Sequence, residues 1–100
     1  MANEQRLDLI ISGKVQGVGY RYSVKIKADS LGIRGYVKNQ RNGSVFVAVQ
    51  GETTAVEKFV KWCFLGPPAA IVSGVEKFPR ALEEFREFSI STKNYCKIKK

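Results

Sequence analysis

The feature that most constrains the fold is a hairpin that lies between two strand–helix units. Residues 33–40 are strand-like, residues 44–50 form a β-branched run, and Arg41-Asn42-Gly43 between them carries an Asn-Gly turn signal. A strand and a helix precede this hairpin, and a helix and a strand follow it. The chain is therefore restricted to topologies in which a hairpin joins two β-α units.

The turn length decides which side chains of the hairpin face the core. A two-residue turn and a three-residue turn with a bulge give different registers, and the sequence allows both. We favour the bulged turn, because it lets Val37 share the core face with Val45, Val47 and Val49.

The first β-α unit is delimited by glycines. Residues 7–11 mix alternation with a branched run and predict a strand, which Gly13 is expected to stop. After a glycine-rich loop, apolar residues at spacings i, i+4 and i+7 predict a helix from about Arg21. Gly32 then stands at the left-handed position that commonly follows a helix end.

The second unit contains a helix with a clear apolar face. Thr53 or Thr54 is expected to cap it, with Glu57 at capping-box distance from Thr54, and Gly66-Pro67-Pro68 is expected to end it. The apolar stripe of this helix consists of Val56, Phe59, Val60, Cys63 and Phe64.

Two further strands complete the order β-α-β-β-α-β-β. They are predicted at residues 70–78, where Pro79 should break the strand, and at residues 85–90. This order favours an α+β, ferredoxin-like sandwich, in which two helices cover one face of an antiparallel sheet and leave the other face to solvent. We expect a single domain over residues 1–90 and a basic tail over 91–100, which carries four lysines and no acid.

Several classes of site and location are excluded by composition. The chain has no histidine, so Ser-His-Asp triads and imidazole metal sites cannot form. Cys63 and Cys96 are too far apart for a CxxC pair, and Cys63 is predicted to be a buried, inert thiol. No apolar run approaches the roughly 20 residues of a membrane span, and no signal sequence is visible. We expect a cytoplasmic protein without a metal or a membrane partner.

The segment from Gly13 to Arg21 has the features of an anion site. Gly13-Lys14-Val15-Gln16-Gly17-Val18-Gly19-Tyr20-Arg21 leads from a strand into a helix. Backbone N–H groups of such a loop, the helix N-terminus and an arginine can together bind phosphate oxygens. The loop lacks the GK[ST] of Walker A, and Tyr22 stands where a dinucleotide fingerprint needs glycine, so ATP and NAD are not expected ligands.

Two segments resemble the signatures of the acylphosphatase family. The first is Ile11-Ser12-Gly13-Lys14-Val15-Gln16-Gly17-Val18-Gly19-Tyr20-Arg21. The second is Gly35-Tyr36-Val37-Lys38-Asn39-Gln40-Arg41-Asn42-Gly43-Ser44-Val45, followed by Gly51. The resemblance extends over roughly residues 7–90, and its further matches are Leu31-Gly32, Phe59, Trp62 and Gly66-Pro67-Pro68-Ala69-Ala70-Ile71-Val72.

The resemblance implies roles for individual residues. Arg21 corresponds to the phosphate-binding arginine of the family, and Asn39 corresponds to its water-orienting asparagine. The phosphate loop of the family corresponds to Gln16, Gly17, Val18, Gly19 and Tyr20. Taken without the second signature, Asn39 would be an ordinary turn residue.

Two residues depart from the family pattern. Tyr20 replaces the usual phenylalanine or methionine and is expected to add a hydroxyl near the site. Phe46 replaces a frequent glutamate and is expected to expose an apolar ring. Neither change removes a group that the chemistry needs.

The resemblance implies an enzyme that hydrolyses an acyl phosphate to a carboxylate and inorganic phosphate, and we expect the reaction to proceed by in-line attack of an oriented water. The departing carboxylate, whose conjugate acid has a pKa of about 4, needs no proton, so no cofactor or metal is expected. We expect a monomer for which phosphate or sulfate competes with substrate. The alternative is a non-catalytic ferredoxin-like module that binds nucleic acid or a phosphorylated ligand. Residues 44–50 lack the paired aromatics of an RNA-reading sheet, which argues against nucleic acid.

Overall fold

The computed structural model describes residues 3–91. These residues form seven elements in the order predicted from the sequence. Their bounds are β1 (Glu4–Lys14), α1 (Tyr20–Ser30), β2 (Arg34–Asn39), β3 (Val45–Glu52), α2 (Thr53–Leu65), β4 (Ile71–Arg80) and β5 (Phe88–Ile90).

The strands of residues 3–91 form one sheet in the order β4-β1-β3-β2-β5. The pairs among β1, β2, β3 and β4 are antiparallel, and β5 adds a parallel pairing with β2 that the sequence did not indicate. Both helices pack on the same face, because one core contains Val24 of α1, Phe59 of α2 and the sheet residues Leu9 and Val47. The fold is the ferredoxin-like α+β sandwich.

The hairpin between β2 and β3 has the bulged three-residue turn. The N–H of Gln40 donates to the carbonyl of Ser44 at 2.9 Å, and Gly43 adopts a left-handed φ of 94°. In this register Val37 lies opposite Val47, and both are fully buried. The predicted sharing of the core face is confirmed.

Gly13 does not end the first strand, which continues to Lys14. The register between β1 and β4 shifts between Ser12 and Gly13, where φ is 123°. A Cβ at Gly13 would overlap the carbonyl oxygen of Ile71. The predicted strand end was wrong, because this glycine permits a bulge with close backbone approach and does not terminate the strand.

Pro79 does not break the fourth strand either. β4 runs through Pro79 to Arg80, and Pro79 lies opposite Leu7 of β1. β4 is an edge strand. An edge tolerates proline because every second N–H points away from the neighbouring strand.

The start of α2 is held by the N-terminal segment of the chain and not by a capping box. Glu52 is the N-cap residue and makes no side-chain capping bond, while the Thr54 hydroxyl donates to the Glu52 carboxylate at 3.3 Å. The N–H and the hydroxyl of Thr53 both donate to the carbonyl of Asn3, at 2.9 and 3.2 Å. The apolar stripe of α2 is buried except at its end, where 55% of Phe64 is exposed.

Residues 81–87, here called the strap, connect β4 at one edge of the sheet to β5 at the other. The strap crosses the face that was expected to be left to solvent. Arg6, Gln50 and Arg34 lie side by side on β1, β3 and β2, and each bonds to it. The bonds are Arg6 Nη1 to Ala81 O (3.5 Å), Gln50 Nε2 to Glu83 O (2.7 Å), Glu83 N to Gln50 Oε1 (2.9 Å) and Arg34 Nη1 to Phe85 O (3.4 Å).

Candidate active site

The loop between β1 and α1 adopts a conformation that only glycine adopts readily. Gly17 and Gly19 have φ angles of 75° and 77°, in the left-handed region. Gly19 is the N-cap residue of α1 and offers no side chain, and the first helical bond runs from the N–H of Ser23 to its carbonyl at 3.0 Å. Within residues 3–91, the N–H groups from Gly17 to Tyr22 have no acceptor. They are therefore available to an anion at the positive end of the helix dipole.

A cavity of about 190 Å³ lies where this loop meets the end of β2. It is lined by Val15, Gly17, Gly19, Tyr20, Arg21, Tyr22, Asn39 and Ile90. The structure thus brings together both predicted side chains, Arg21 and Asn39, with three of the five predicted loop residues. Arg21 is the one charged residue of this lining, and the lining has no carboxylate, imidazole or thiol.

Arg21 is half-buried and held from one side. Its Nη1 donates to the carbonyl of Ser91 at 3.3 Å, directly after β5. Ser91 is itself fixed, because its N–H donates to the carbonyl of Val37 at 2.8 Å. The other guanidinium N–H groups have no partner in the part of the chain that the structure describes.

Asn39 is the last residue of β2 and pairs with Val45. Its Oδ1 is buried and has no hydrogen-bond partner among residues 3–91. Most buried acceptors in proteins are satisfied, so an unpaired one that lines a cavity calls for an explanation.

Gln16 and Val18 belong to the predicted loop but do not line the cavity. Nε2 of Gln16 donates to the carbonyl of Gln40 at 2.7 Å and to that of Ser44 at 2.8 Å. Both carbonyls belong to the end of the hairpin that carries Asn39. The Gln16 side chain therefore ties the loop to the hairpin, and Val18 packs against the core.

The Tyr20 hydroxyl is not near the cavity, contrary to expectation. It donates to the carbonyl of Cys63 in α2 at 2.9 Å, and burial raises its pKa. Four residues beyond Cys63 stands Pro67, which has no N–H to donate to that carbonyl. The Cys63 thiol is fully buried, which raises its pKa to about 12, so it is the inert thiol that was predicted.

The second departure, Phe46, lies away from the cavity on the strap face of β3. Its ring centroid is 5.8 Å from that of Tyr36, and Nζ of Lys38 lies 5.4 Å from it. The ring is therefore partly covered and not openly exposed. Tyr36 in turn contacts Phe85 of the strap at 6.2 Å.

Three residues of this region were not predicted from the sequence as part of a site. Tyr22 and Ile90 line the cavity, and the carbonyl of Ser91 binds Arg21. Ser91 had been placed in the basic tail, whose other residues lie outside those described. No signal in a three-residue strand indicates that it pairs parallel with β2, and this pairing brings Ile90 and Ser91 to the loop.

Two further properties bear on the chemistry. Residues 3–91 contain no group of three histidine, cysteine or acidic side chains that could hold a metal ion. No helix among the same residues is long and apolar enough to cross a membrane.

Comparison with known proteins identifies relatives over nearly the whole chain. The family model described as Acylphosphatase matches residues 7–90. An acylphosphatase of Acaryochloris marina is 51% identical over 90 residues, which are 90% of this chain and 97% of the relative. The solved structure of an acylphosphatase from Coxiella burnetii has a TM-score of 0.86 at 37% identity and covers 89% of this chain and 94% of that one.

The same fold also occurs within a longer protein. The crystal structure of full-length HypF in the phosphate- and nucleotide-bound form matches with a TM-score of 0.86 at 26% identity. The match covers 94% of this chain but 12% of that one.

Proposed function

Because this chain belongs to the acylphosphatase family and hydrolyses acyl phosphates, we propose that the reaction takes place in the cavity between the glycine-rich loop and the end of β2. The observation that carries this proposal is the meeting of one cation, a row of unpaired N–H groups and one unpaired amide oxygen around the same small cavity. These three kinds of group match the needs of phosphoryl transfer with a carboxylate leaving group.

The phosphate would be bound by the backbone and by Arg21. The unpaired N–H groups from Gly17 to Tyr22 would donate to its oxygens, and the free edge of the Arg21 guanidinium would bind two of them. Gln16 would act on this loop through the hairpin and not through contact with the anion.

The attacking water would be held by Asn39. A water whose O–H donates a hydrogen bond to Oδ1 would satisfy this buried acceptor and stand beside the bound phosphate. Its oxygen forms a bond to phosphorus as the bond from phosphorus to the acyl oxygen breaks, and the electron pair leaves with the carboxylate. One proton of the water passes to another phosphate oxygen, and its second proton stays on the oxygen that is now bonded to phosphorus.

No general acid is needed for this leaving group. A carboxylate departs unprotonated at neutral pH, whereas an alkoxide, whose conjugate acid is far weaker, requires a proton donor. The lining residues of the cavity include no carboxylic acid. We therefore propose that acyl phosphates are substrates and that alkyl phosphate monoesters are poor ones.

We also propose the oligomeric state, the competing anions and the location that go with this mechanism. We propose that the enzyme is active as a monomer, because the groups that the mechanism requires, Arg21, Asn39 and the N–H groups of the loop, meet around one cavity of the same chain. Inorganic phosphate and sulfate fit the same N–H groups and Arg21, so both should compete with substrate. We further propose a cytoplasmic location and a reaction without a cofactor.

The test is a hydrolysis assay of the purified protein with benzoyl phosphate, in the presence and absence of EDTA. We expect hydrolysis that chelator does not change, competitive inhibition by inorganic phosphate, and rates on an alkyl phosphate monoester lower by several orders of magnitude. Equal rates on both classes of phosphate, or loss of activity with EDTA, would overturn the mechanism. Purely non-competitive inhibition by phosphate would place the anion elsewhere.

A further inference from the structure

We propose that Lys25 is a positioning residue for the reaction, because it holds β5 against α1 and thereby keeps the Ser91 carbonyl where it orients Arg21. This inference rests on the proposed function, in which the Arg21 guanidinium binds the phosphate. Lys25 does not line the cavity of that site. It acts through the backbone of β5 and makes no contact with the substrate.

β5 is a short strand that has a neighbour on one side only among the strands of residues 3–91. It consists of Phe88–Ile90 and lies at the edge of the sheet, parallel to β2. The carbonyl of Glu87, just before β5, accepts a hydrogen bond from the N–H of Gly35 in β2 at 3.0 Å. Successive carbonyls of an extended chain point to opposite sides, so the carbonyl of Phe88 points away from β2. The outer edge of β5 therefore needs partners other than a strand.

The ammonium group of Lys25 supplies such a partner. Its Nζ donates to the carbonyl of Phe88 at 3.0 Å and to the carboxylate of Asp29, one turn further along α1, at 2.9 Å. A hydrogen bond from a charged donor is stronger than one between neutral groups. The second contact, to Asp29, restricts the positions that the long Lys25 side chain can take.

The Lys25 and Arg21 side chains hold the two ends of β5. They are four positions apart and so lie on the same side of α1. Arg21 donates to the carbonyl of Ser91 at 3.3 Å, and Lys25 donates to that of Phe88, three residues earlier in the chain. A shift of the backbone at Phe88 would consequently move the Ser91 carbonyl and release the guanidinium from its orientation.

Loss of the Lys25 bond should loosen β5 without removing it from the sheet. The Phe88 side chain is buried in the core, and its ring centroid lies 6.4 Å from that of Phe59 in α2. This packing does not depend on Lys25. We therefore expect a variant without the bond to fold and to lose activity.

The charge of Lys25 provides a competing explanation for such a loss. A cation one helical turn from Arg21 also attracts an anionic substrate through space, and salt screens this attraction. The ion pair with Asp29 offsets the charge of Lys25, which favours the positioning role. Lys27 allows a comparison, because it carries the same charge on the same helix but lines a different cavity, between α1 and α2.

The experiment is a double-mutant cycle between Lys25 and Arg21, with kcat/KM for benzoyl phosphate as the readout. Lys25→Met keeps the aliphatic stem but has no donor, and it should lower kcat/KM by about tenfold, the scale of one hydrogen bond. In the Arg21→Lys background the same change should have an effect of less than about twofold, because the planar fork that Lys25 positions is absent. Lys25→Arg, which keeps a charged donor, should restore most of the activity.

Lys27→Met is the matched control and should leave kcat/KM within about twofold of the wild type. All variants are assayed below their melting transitions, and the loss in Lys25→Met should persist at high salt. Unchanged kcat/KM in Lys25→Met, an equal loss in both Arg21 backgrounds, or a loss that disappears at high salt would overturn the positioning role while the proposed function stands. A wild-type protein that does not hydrolyse benzoyl phosphate would instead overturn the proposed function.

Discussion

The side-chain amide of Asn39 is left with a buried, unpaired oxygen at the end of β2. Such an acceptor typically costs about 1–3 kcal/mol of folding free energy. The same hairpin contains Asn42, whose Oδ1 accepts bonds from the N–H and the hydroxyl of Ser44 at 3.0 and 2.6 Å. Two asparagines three positions apart thus have opposite environments, one satisfied within the turn and one open to a ligand.

This contrast allows catalysis to be separated from stability. Asn39→Ala should lower kcat while leaving the inhibition constant of phosphate nearly unchanged, because the amide is proposed to hold water and not the anion. The melting temperature of this variant should not fall, since an unpaired buried group is removed. Full turnover in a folded Asn39→Ala protein would show that Asn39 is only a turn residue.

The control for that variant is Asn42→Ala. This change removes both bonds to Ser44 and should lower the melting temperature, while kcat stays close to that of the wild type. A loss of turnover in Asn42→Ala as large as in Asn39→Ala would mean that the whole hairpin, and not one amide, controls the rate.

Arg21 has a different role and a different expected phenotype. Arg21→Lys keeps the charge but loses the planar fork, which binds the Ser91 carbonyl and is proposed to bind the phosphate as well. Phosphate affinity and turnover should therefore both fall, with a total loss in kcat/KM of roughly 100-fold or more. Steady-state kinetics and phosphate inhibition measure this directly, and a lysine variant with near wild-type kcat/KM would contradict the bidentate role.

At the scale of single residues, position could be predicted from the sequence better than orientation. Arg21 and Asn39 lie at the cavity because the glycines and the hairpin that flank them are local signals. The direction of the Gln16 side chain is instead set by hydrogen bonds to carbonyls 24 and 28 residues away in the sequence. The direction of the Tyr20 side chain is set by a hydrogen bond to a carbonyl 43 residues away. Local patterns contain no information on such partners, so the direction of these two side chains was not predictable.

At the scale of elements, Tyr20 joins the start of α1 to the end of α2. Its hydroxyl satisfies the Cys63 carbonyl that Pro67 cannot, and its ring lies 5.9 Å from that of Trp62. A Cβ on Gly66 would come within 2.8 Å of the Tyr20 ring, so the turn after α2 is shaped around this side chain. The first residue of the helix that carries Arg21 is thereby anchored in the core.

Tyr20→Phe should destabilise the protein without removing this packing. The ring stays, but the carbonyl of Cys63 loses its partner in a buried position, at a cost of about 1–3 kcal/mol in the free energy of unfolding. Denaturant unfolding measures the change, with Tyr22→Phe as the control, since the Tyr22 hydroxyl has no partner within residues 3–91. Equal stability of the two variants would show that the Tyr20 bond contributes nothing.

The elements themselves were predictable where periodicity or a turn signal was strong. Both helices, the first four strands and the bulged hairpin follow from such signals. The corrections concern Gly13 and Pro79, which are usual breakers that here remain within strands. Whether a glycine or a proline ends a strand depends on where the strand lies in the sheet. A glycine bulge requires a closely approaching neighbouring strand, and a proline requires an edge strand. The position of a strand in the sheet is a tertiary property that local sequence does not specify.

At the scale of the whole molecule, we propose that the domain extends one residue beyond the predicted boundary at residue 90. Ser91 pairs with Val37 and binds Arg21, so we place it in the domain. The residues that follow, 92–100, carry four of the 17 basic residues and no acid. Such a segment acts on anionic substrates mainly through long-range attraction, which salt screens.

Truncation tests this boundary. A chain that ends after Thr92 keeps the Ser91 carbonyl as an amide and should retain kcat within about twofold at moderate salt, where a charged tail has little effect. A chain that ends after Phe88 lacks Ile90 and Ser91 and should lose most of its turnover at saturating benzoyl phosphate. If the chain that ends after Thr92 also lost its turnover, the tail would have a direct part in the site.

From the path of the strap we expect an order in which the parts of the enzyme form during folding and synthesis. Arg21 near the start of the chain is oriented by Ser91 near its end, and β5 reaches β2 only after residues 81–87 have crossed three strands. Contacts between residues so far apart in the sequence are expected to form late in folding. Closing the long loop between them costs entropy, and the contacts with the rest of the sheet that compensate this cost require the sheet to be formed. A growing chain can thus complete its helices and four strands while its arginine still lacks orientation. If Arg21 binds the phosphate as proposed, we expect catalytic competence to be the last property that the molecule acquires, because it depends on the final residues that join the sheet.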